Sequence, residues 1–428
     1  MKKFRVIILG AGNRGNRYAA HFAEHPDQYE IVAMADPLKA RREQFQKAYG
    51  VPAEHCYDSW EDALSLPKMA DICVIATHDD QHYYPALKAI DLGYDLLLEK
   101  PIAQTAKECA DIARAADRKG VRVLVCHVLR YTPFYGKVKQ LIMSNTIGEV
   151  ISIEAAECVS NTHFAHAYVR GRWCREENAT PLLLAKCSHD LDIIQWLLDK
   201  PCTRVQSFGS LTHFTPKNAP QNAPIRCATE SCPVRATCPY DCLQEYIANK
   251  KNVRRSRITL GYSKHYEPTD EEVMEALRHE DFGLCVYHAN NDVVDHQIVN
   301  MEFDGGAVAS LCVNAFNKGG RYIHIHGTTG ELTGYMKENS VDVYTFADKT
   351  CRTVPVLEEG QTIYGGHGGG DSGIVTELYA YLSGTYTGYR AADIRISTQN
   401  HMIGFAAEES RHHHTVTDME EFCRQNGF

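Results

Sequence analysis

The turn Gly10-Ala11-Gly12-Asn13-Arg14-Gly15 lies between a short apolar run at residues 6–9 and a helical pattern at 16–23. No other stretch restricts the fold as much. In a strand–turn–helix of this kind the first glycine permits the tight turn. The second lets the backbone approach a pyrophosphate, and the third lets the helix pack closely on the strand. The phosphates would meet the free N–H groups at the helix start. Asp36 closes the next apolar run, where an acid accepts hydrogen bonds from the adenosine ribose and repels a 2′-phosphate. NAD is therefore the expected cofactor and NADP the weaker alternative, with Arg41 and Arg42 close enough to soften the preference.

The alternation continues. Apolar runs at 6–9, 31–35, 72–76, 95–98 and 121–126 read as strands, and 16–23, 39–49, 82–92 and 105–119 read as helices. Short β-branched runs separated by helices imply βαβ units on a parallel sheet, whose strands must be apolar on both faces. After Arg130 the pattern changes. Strands are expected at 150–159, 202–211, 298–303, 308–316, 322–328 and 341–346, with helices at 191–198, 373–382 and 393–410. The expected architecture is α/β, with a dinucleotide-binding domain at 1–127 and a second domain at 128–428. An irregular, charged insertion at about 215–286 interrupts the second domain. Its basic run, Lys250, Lys251, Arg254, Arg255 and Arg257, reads as solvated surface or a subunit contact.

Composition removes other classes. The 428 residues fit two large domains, and the net charge of −9 argues against a nucleic-acid binder. No apolar run is long enough for a membrane span. The start of the chain reads as a strand entering a glycine loop, not as a signal peptide. A cytoplasmic location is expected, with the 16 cysteines as thiols or metal ligands. The run His412-His413-His414 is read as native.

The glycine loop and Glu99-Lys100-Pro101 resemble the Gfo/Idh/MocA oxidoreductases, as do His189-Asp190-Leu191-Asp192, at an expected helix start, and Ile325-His326-Gly327-Thr328-Thr329-Gly330-Glu331-Leu332. The resemblance spans nearly the whole chain outside the insertion. It implies a Rossmann domain followed by an α/β domain on a large open, mostly antiparallel sheet, and pairing into homo-oligomers. It also implies hydride transfer between nicotinamide and a hydroxyl of a sugar, sugar derivative or cyclitol. Gly10, Gly12, Asn13, Arg14, Gly15, Asp36, Thr77, His78, His82, Glu99 and Lys100 are then expected at the cofactor. Lys100 would polarise the reacting oxygen and His189 would serve as general acid or base.

One position departs from the family. Its dehydrogenases usually carry Asp four residues before the histidine; here Ala185 stands there, followed by Lys186. Lys186 is a candidate base or anion-binding group, or it points to solvent. Candidate substrate contacts are His127, Arg130, Tyr131, His163, His166, Arg170, Trp173, Asp190 and His367. They mix imidazole, guanidinium and aromatic groups, which suits a polyhydroxylated ligand. His367 lies in Gly365-Gly366-His367-Gly368-Gly369-Gly370-Asp371, whose glycines would let a loop lie close to that ligand.

Cys227, Cys232, Cys238 and Cys242 form a dense cluster that could wrap a structural zinc, remain free thiols or pair as disulfides. Three functions stay open. The first is an NAD-dependent oxidoreductase. The second is a redox-neutral, NAD-dependent glycosidase working by transient C3 oxidation, elimination and re-reduction. The third is a non-catalytic sensor.

Overall fold

The computed structural model describes residues 2–228, 231–259, 268–357, 363 and 366–428. Two sheets organise the chain. The first has strands β1 (Phe4–Leu9), β2 (Tyr29–Ala35), β3 (Cys56–Tyr57), β4 (Ile72–Ile75), β5 (Asp95–Leu98) and β6 (Val123–Val125). They lie in the order β3-β2-β1-β4-β5-β6, and every pairing is parallel. Helices α1 (Asn13–Ala23), α2 (Lys39–Tyr49), α3 (Trp60–Ser65), α4 (Tyr83–Asp91) and α5 (Ala106–Lys119) connect them. The strand order reverses between β1 and β4, so the glycine turn after β1 opens at the switch point where such sheets bind ligands.

Helix α6 (Pro133–Met143) leads into the second sheet, built from β7 (Val150–Cys158), β8 (Cys202–Ser210), β9 (His296–Phe303), β10 (Val308–Asn314), β11 (Gly320–Gly327), β12 (Gly330–Tyr335), β13 (Ser340–Thr345), β14 (Thr350–Pro355) and β15 (Thr417–Asp418). The order is β14-β13-β12-β11-β7-β10-β9-β8-β15, and among these pairs only β10–β7 is parallel. Burial alternates along these strands, as it does in β9 and β10, because one face packs on helices and the other is open. Short α7 (Asn161–Phe164) follows β7, and α8 (Leu182–Leu198) lies against the covered face.

The pattern predicts a helix only over 191–198, with His189 at its start. The helix in fact begins at Leu182 behind Pro181, so His189 sits in its middle. Every residue of α8 except Lys186 is buried. A helix enclosed on all sides has no amphipathic stripe for sequence periodicity to reveal.

The insertion joins adjacent strands β8 and β9 and carries α9 (Arg255–Ile258) and α10 (Asp270–His279). After β14 the chain returns to the first sheet. Helix α11 (Gly370–Ser383) places Ile374, Val375 and Leu378 in the same cluster as Phe4, Val6 and Ile8. Helix α12 (Ile394–His413) spans both regions, and α13 (Met419–Gln425) ends the chain.

Candidate active site

The nucleotide cradle follows from the glycine turn. Gly10 has φ of 92°, and a Cβ there would lie 2.5 Å from the Ala76 carbonyl oxygen. A Cβ on Gly15 would lie 1.9 Å from the Gly10 oxygen, so α1 can seat on β1 only with glycine here. Asp36 is buried at the end of β2. Its carboxylate accepts from the Ala11 and Leu38 N–H groups, each at 2.9 Å, and pairs with Arg41 at 3.4 Å. Arg42 is turned toward the Asp36 carbonyl and Asp58. A close-approach glycine turn, a helix start and an acid at the ribose position fit a dinucleotide.

Arg14 projects from α1 toward the Glu99-Lys100-Pro101 segment. Its guanidinium bonds Glu99 at 2.5 Å, Tyr18 at 2.5 Å and Asp371 at 2.9 Å. Tyr18 also donates to Glu99 at 2.6 Å. Of the other expected cofactor residues, Thr77 donates to the Gln81 carbonyl and His78 is exposed beside it. His82 lies behind the Lys100 turn, its Nδ1 2.7 Å from the Pro101 carbonyl oxygen. His82 therefore braces the turn.

Lys100 Nζ donates to the Ala185 carbonyl at 2.6 Å. At residue 185, where the resemblance implies an aspartate, the backbone supplies the acceptor. Burial lowers the pKa of Lys100, and Lys186 and Arg14 push it the same way against Asp79 and Glu99. Around Lys100 stands a group of imidazoles. Ring centroids of His127 and His189 are 6.0 Å apart, those of His189 and His367 6.1 Å, and those of His127 and His401 5.7 Å. Burial, then the Lys100 charge, holds His189 well below the usual histidine range, so it is neutral at pH 7. Its Nδ1 and both nitrogens of His127 have no hydrogen-bond partner among the described residues. His367 Nδ1 lies 2.9 Å from Asp371, which Arg14 also holds. Gly365, in the same loop, lies outside the described residues.

Several expected substrate contacts are already engaged within the chain. Arg130 is buried and donates twice to Asp192, at 2.8 and 2.7 Å. Asp190 receives Arg321 at 2.8 and 3.2 Å. His166 bonds the Tyr246 hydroxyl at 2.8 Å, and Arg170 donates to the Leu284 and Tyr240 carbonyls. Tyr131 is buried under Gly373. These groups fix the wall of the site. Trp173 donates to Asp79 at 2.9 Å and Arg172 pairs with Asp80 at 2.6 Å, joining that wall to the first domain. Lys186 lies 3.6 Å from Glu157, which also pairs with Arg321. His163 is pushed down to about 3 by packing first and then by Lys186, Arg254, Arg257 and Arg321. Arg254 and Arg257 of the basic run thus lie near enough to oppose a charge on His163, while Lys250 and Arg255 pair with Asp270.

Glu157, Arg321 and His401 were not singled out by sequence. Their partners lie far away along the chain, and no local motif marks them. Asp371 sits in the glycine-rich motif, a signal that is legible although its pairing with Arg14 is not.

Residues 4–127 match the Gfo/Idh/MocA model for an oxidoreductase family with an NAD-binding Rossmann fold. Residues 139–392 match the model for that family's C-terminal alpha/beta domain. The chain is similar to YteT of Bacillus subtilis (strain 168), 26% identical over 367 residues that cover 82% of each chain. It is also similar to scyllo-inositol 2-dehydrogenase (NAD(+)) of the same organism, 27% identical over 218 residues, 48% of this chain and 57% of that one. The match thus spans little more than half of that relative. Levoglucosan dehydrogenase in complex with NADH shares the fold, with a TM-score of 0.71 at 17% identity over 98% of this chain and 99% of that one.

Proposed function

The chain belongs to the Gfo/Idh/MocA family of NAD-dependent oxidoreductases, and on that footing we propose that it moves a hydride between nicotinamide and a ring hydroxyl of a sugar, sugar derivative or cyclitol. The observation that carries this reading is Lys100 beside a neutral, buried His189 in a site bounded by the glycine cradle. Gly10, Gly12, Asn13, Gly15 and Asp36 would hold the dinucleotide, with Arg14 and Glu99 flooring its nicotinamide end. When bound, the nicotinamide supplies the hydride acceptor or donor. Lys100 Nζ, already directed at an oxygen, hydrogen-bonds the reacting hydroxyl and stabilises its developing charge. His189, neutral at pH 7, takes the hydroxyl proton.

A redox-neutral glycosidase is the second reading. Such chemistry needs a base beyond the alcohol-oxidising pair, and the His367–Asp371 dyad supplies one at 6.1 Å from His189, ring to ring. One experiment separates the two. NAD⁺ and a panel of free sugars, cyclitols and nitrophenyl glycosides are offered while NADH and nitrophenolate are followed together. NADH rising with product supports the dehydrogenase. Nitrophenolate over many turnovers without net NADH supports the glycosidase. Full turnover by Lys100→Ala would contradict both.

A homo-oligomer fits the open face of the second sheet, which exposes Ile151, Phe208, Ile298, Val308 and Tyr322. Light scattering that returned only the 48.1 kDa of one chain would rule it out. A reducing, cytoplasmic setting would keep the 16 cysteines as thiols or metal ligands. No helix among the described residues is long and apolar enough to cross a membrane.

A further inference from the structure

The insertion between β8 and β9 is poorly supplied with core. Its own apolar cluster consists of Cys227, Ala228, Cys242, Tyr246, Ile258, Val273 and Leu277. A loop-rich segment with so little buried surface ordinarily needs a cross-link or a metal. The folding of the segment shows where one would act. An isolated antiparallel bridge joins Arg226 to Leu284, with the Cys285 N–H on the Ile225 carbonyl at 2.8 Å and the Ala228 N–H on the Gly283 carbonyl at 3.2 Å. This sets Cys227 beside Cys285, which the sequence leaves far apart. Between Cys232 and Cys238 the chain turns back on itself, with Arg235 N–H on the Cys232 carbonyl and Cys238 N–H on the Val234 carbonyl.

Cys227, Cys232, Cys238 and Cys285 all line one cavity of about 20 Å³. That volume holds one body the size of a water molecule, which suits a single ion. Cys242 is not part of the cavity wall. It is fully buried, and its sulfur lies within 4.8 Å of the Cys227 sulfur and an Asp241 oxygen.

The electrostatics match a thiolate centre. Four thiolates around a divalent ion carry a net charge of −2, which must be offset when buried. Arg170 and Arg235 both line the cavity. Arg170 is fixed by the Leu284 and Tyr240 carbonyls and Arg235 by the Cys227 carbonyl at 2.6 Å, so neither guanidinium is free to leave. Asp241 also lines the cavity. It is 3% exposed, and its Oδ2 has no partner among the described residues.

We infer that Cys227, Cys232, Cys238 and Cys285 bind one zinc-class ion as a closed tetrathiolate site that staples the insertion. Binding forms four metal–sulfur bonds and releases the thiol protons to water, with no change of oxidation state. The four sulfurs do not all lie within 4.8 Å of one another, so the ion draws the loops together as it binds. With four protein ligands there is no open position, and the ion takes no part in catalysis. It acts on the active site at one remove. The stapled segment holds Arg170 through Leu284 and Tyr240, and supplies Tyr246 to His166. The ion therefore positions the wall formed by residues 161–173.

The test measures zinc in full-length protein purified without a metal-affinity matrix. One zinc per chain is expected. Cys232→Ser and Cys285→Ser should lose it while Cys242→Ser keeps it. Because a cysteine variant can fail to fold, the wild-type chain is also loaded with cobalt(II). The intense charge-transfer band of a thiolate-rich cobalt centre is expected, which the half-buried, sulfur-free His324, His326 and Glu331 group cannot give. Metal removal should raise KM more than it lowers kcat. Zinc content far below one per chain with no thiolate–cobalt band overturns the proposal. Zinc that survives Cys285→Ser but is lost from Cys242→Ser overturns the donor set.

Discussion

Asp192→Asn tests whether Arg130 is structural. Asp192 is fully buried and Arg130 is 2% exposed. The carboxylate accepts two hydrogen bonds from Arg130 and one from Asn400 at 2.7 Å. Burial raises the Asp192 pKa, outweighing the pull of Arg130. The two perturbations should therefore differ sharply. Asp192→Asn keeps the shape but leaves a buried guanidinium without a counter-charge and turns an amide donor toward it. The expected cost is about 3–5 kcal/mol. In Asp192→Leu/Arg130→Met both charges go, and the loss should be well below the sum of the single losses. Urea unfolding followed by tryptophan fluorescence is a suitable assay, because the Trp196 ring lies 5.5 Å from the Arg130 guanidinium. The reasoning fails if Asp192→Asn costs less than about 1 kcal/mol, the range of an exposed pair, or if the double variant is additive.

Two further outcomes are expected. Asp36→Ser removes the ribose acceptor and frees Arg41. NAD binding should weaken by about tenfold or more, since a hydrogen bond to a charged group contributes roughly 1.5–3 kcal/mol, while NADP binding strengthens. Fluorescence titration giving an unchanged NAD/NADP ratio would count against the assignment. His401 is held at about 3 by burial first and His127 next, against 6.5 for the free side chain. The folded state favours the neutral ring, so this contribution is complete above pH 6.5 and is lost as pH falls toward 3. At pH 5 the loss is about 2 kcal/mol. His401→Gln, which can still accept the Ile102 N–H, should lose that part of the pH slope in urea melts. Equal slopes in the two proteins would refute it.

The parallel sheet and its glycine turn were legible because local spacing alone dictates them. Short motifs pick out Lys100 and His189, and the structure brings the two together. The settings of the remaining site residues depend on contacts across long separations. Arg130 and Asp190 look like ligand-binding groups in sequence, and only the fold shows Asp192 and Arg321 engaging them. The same holds for the cysteines. Proximity in sequence groups Cys242 with the other three, whereas the bridge between Arg226 and Leu284 brings Cys285 to their cavity.

Helix α11 packs on the β1 side of the first sheet, although it follows the entire second domain in the chain. The two halves are thus not interchangeable modules. A fragment ending near residue 127 would expose the apolar surface that Ile374, Val375 and Leu378 cover, and would lose Asp371, the anchor of Arg14. Exchanging nucleotide-binding halves between relatives would require carrying this distant helix along. Recombination at the apparent domain boundary is therefore a poor route to new specificity in this scaffold.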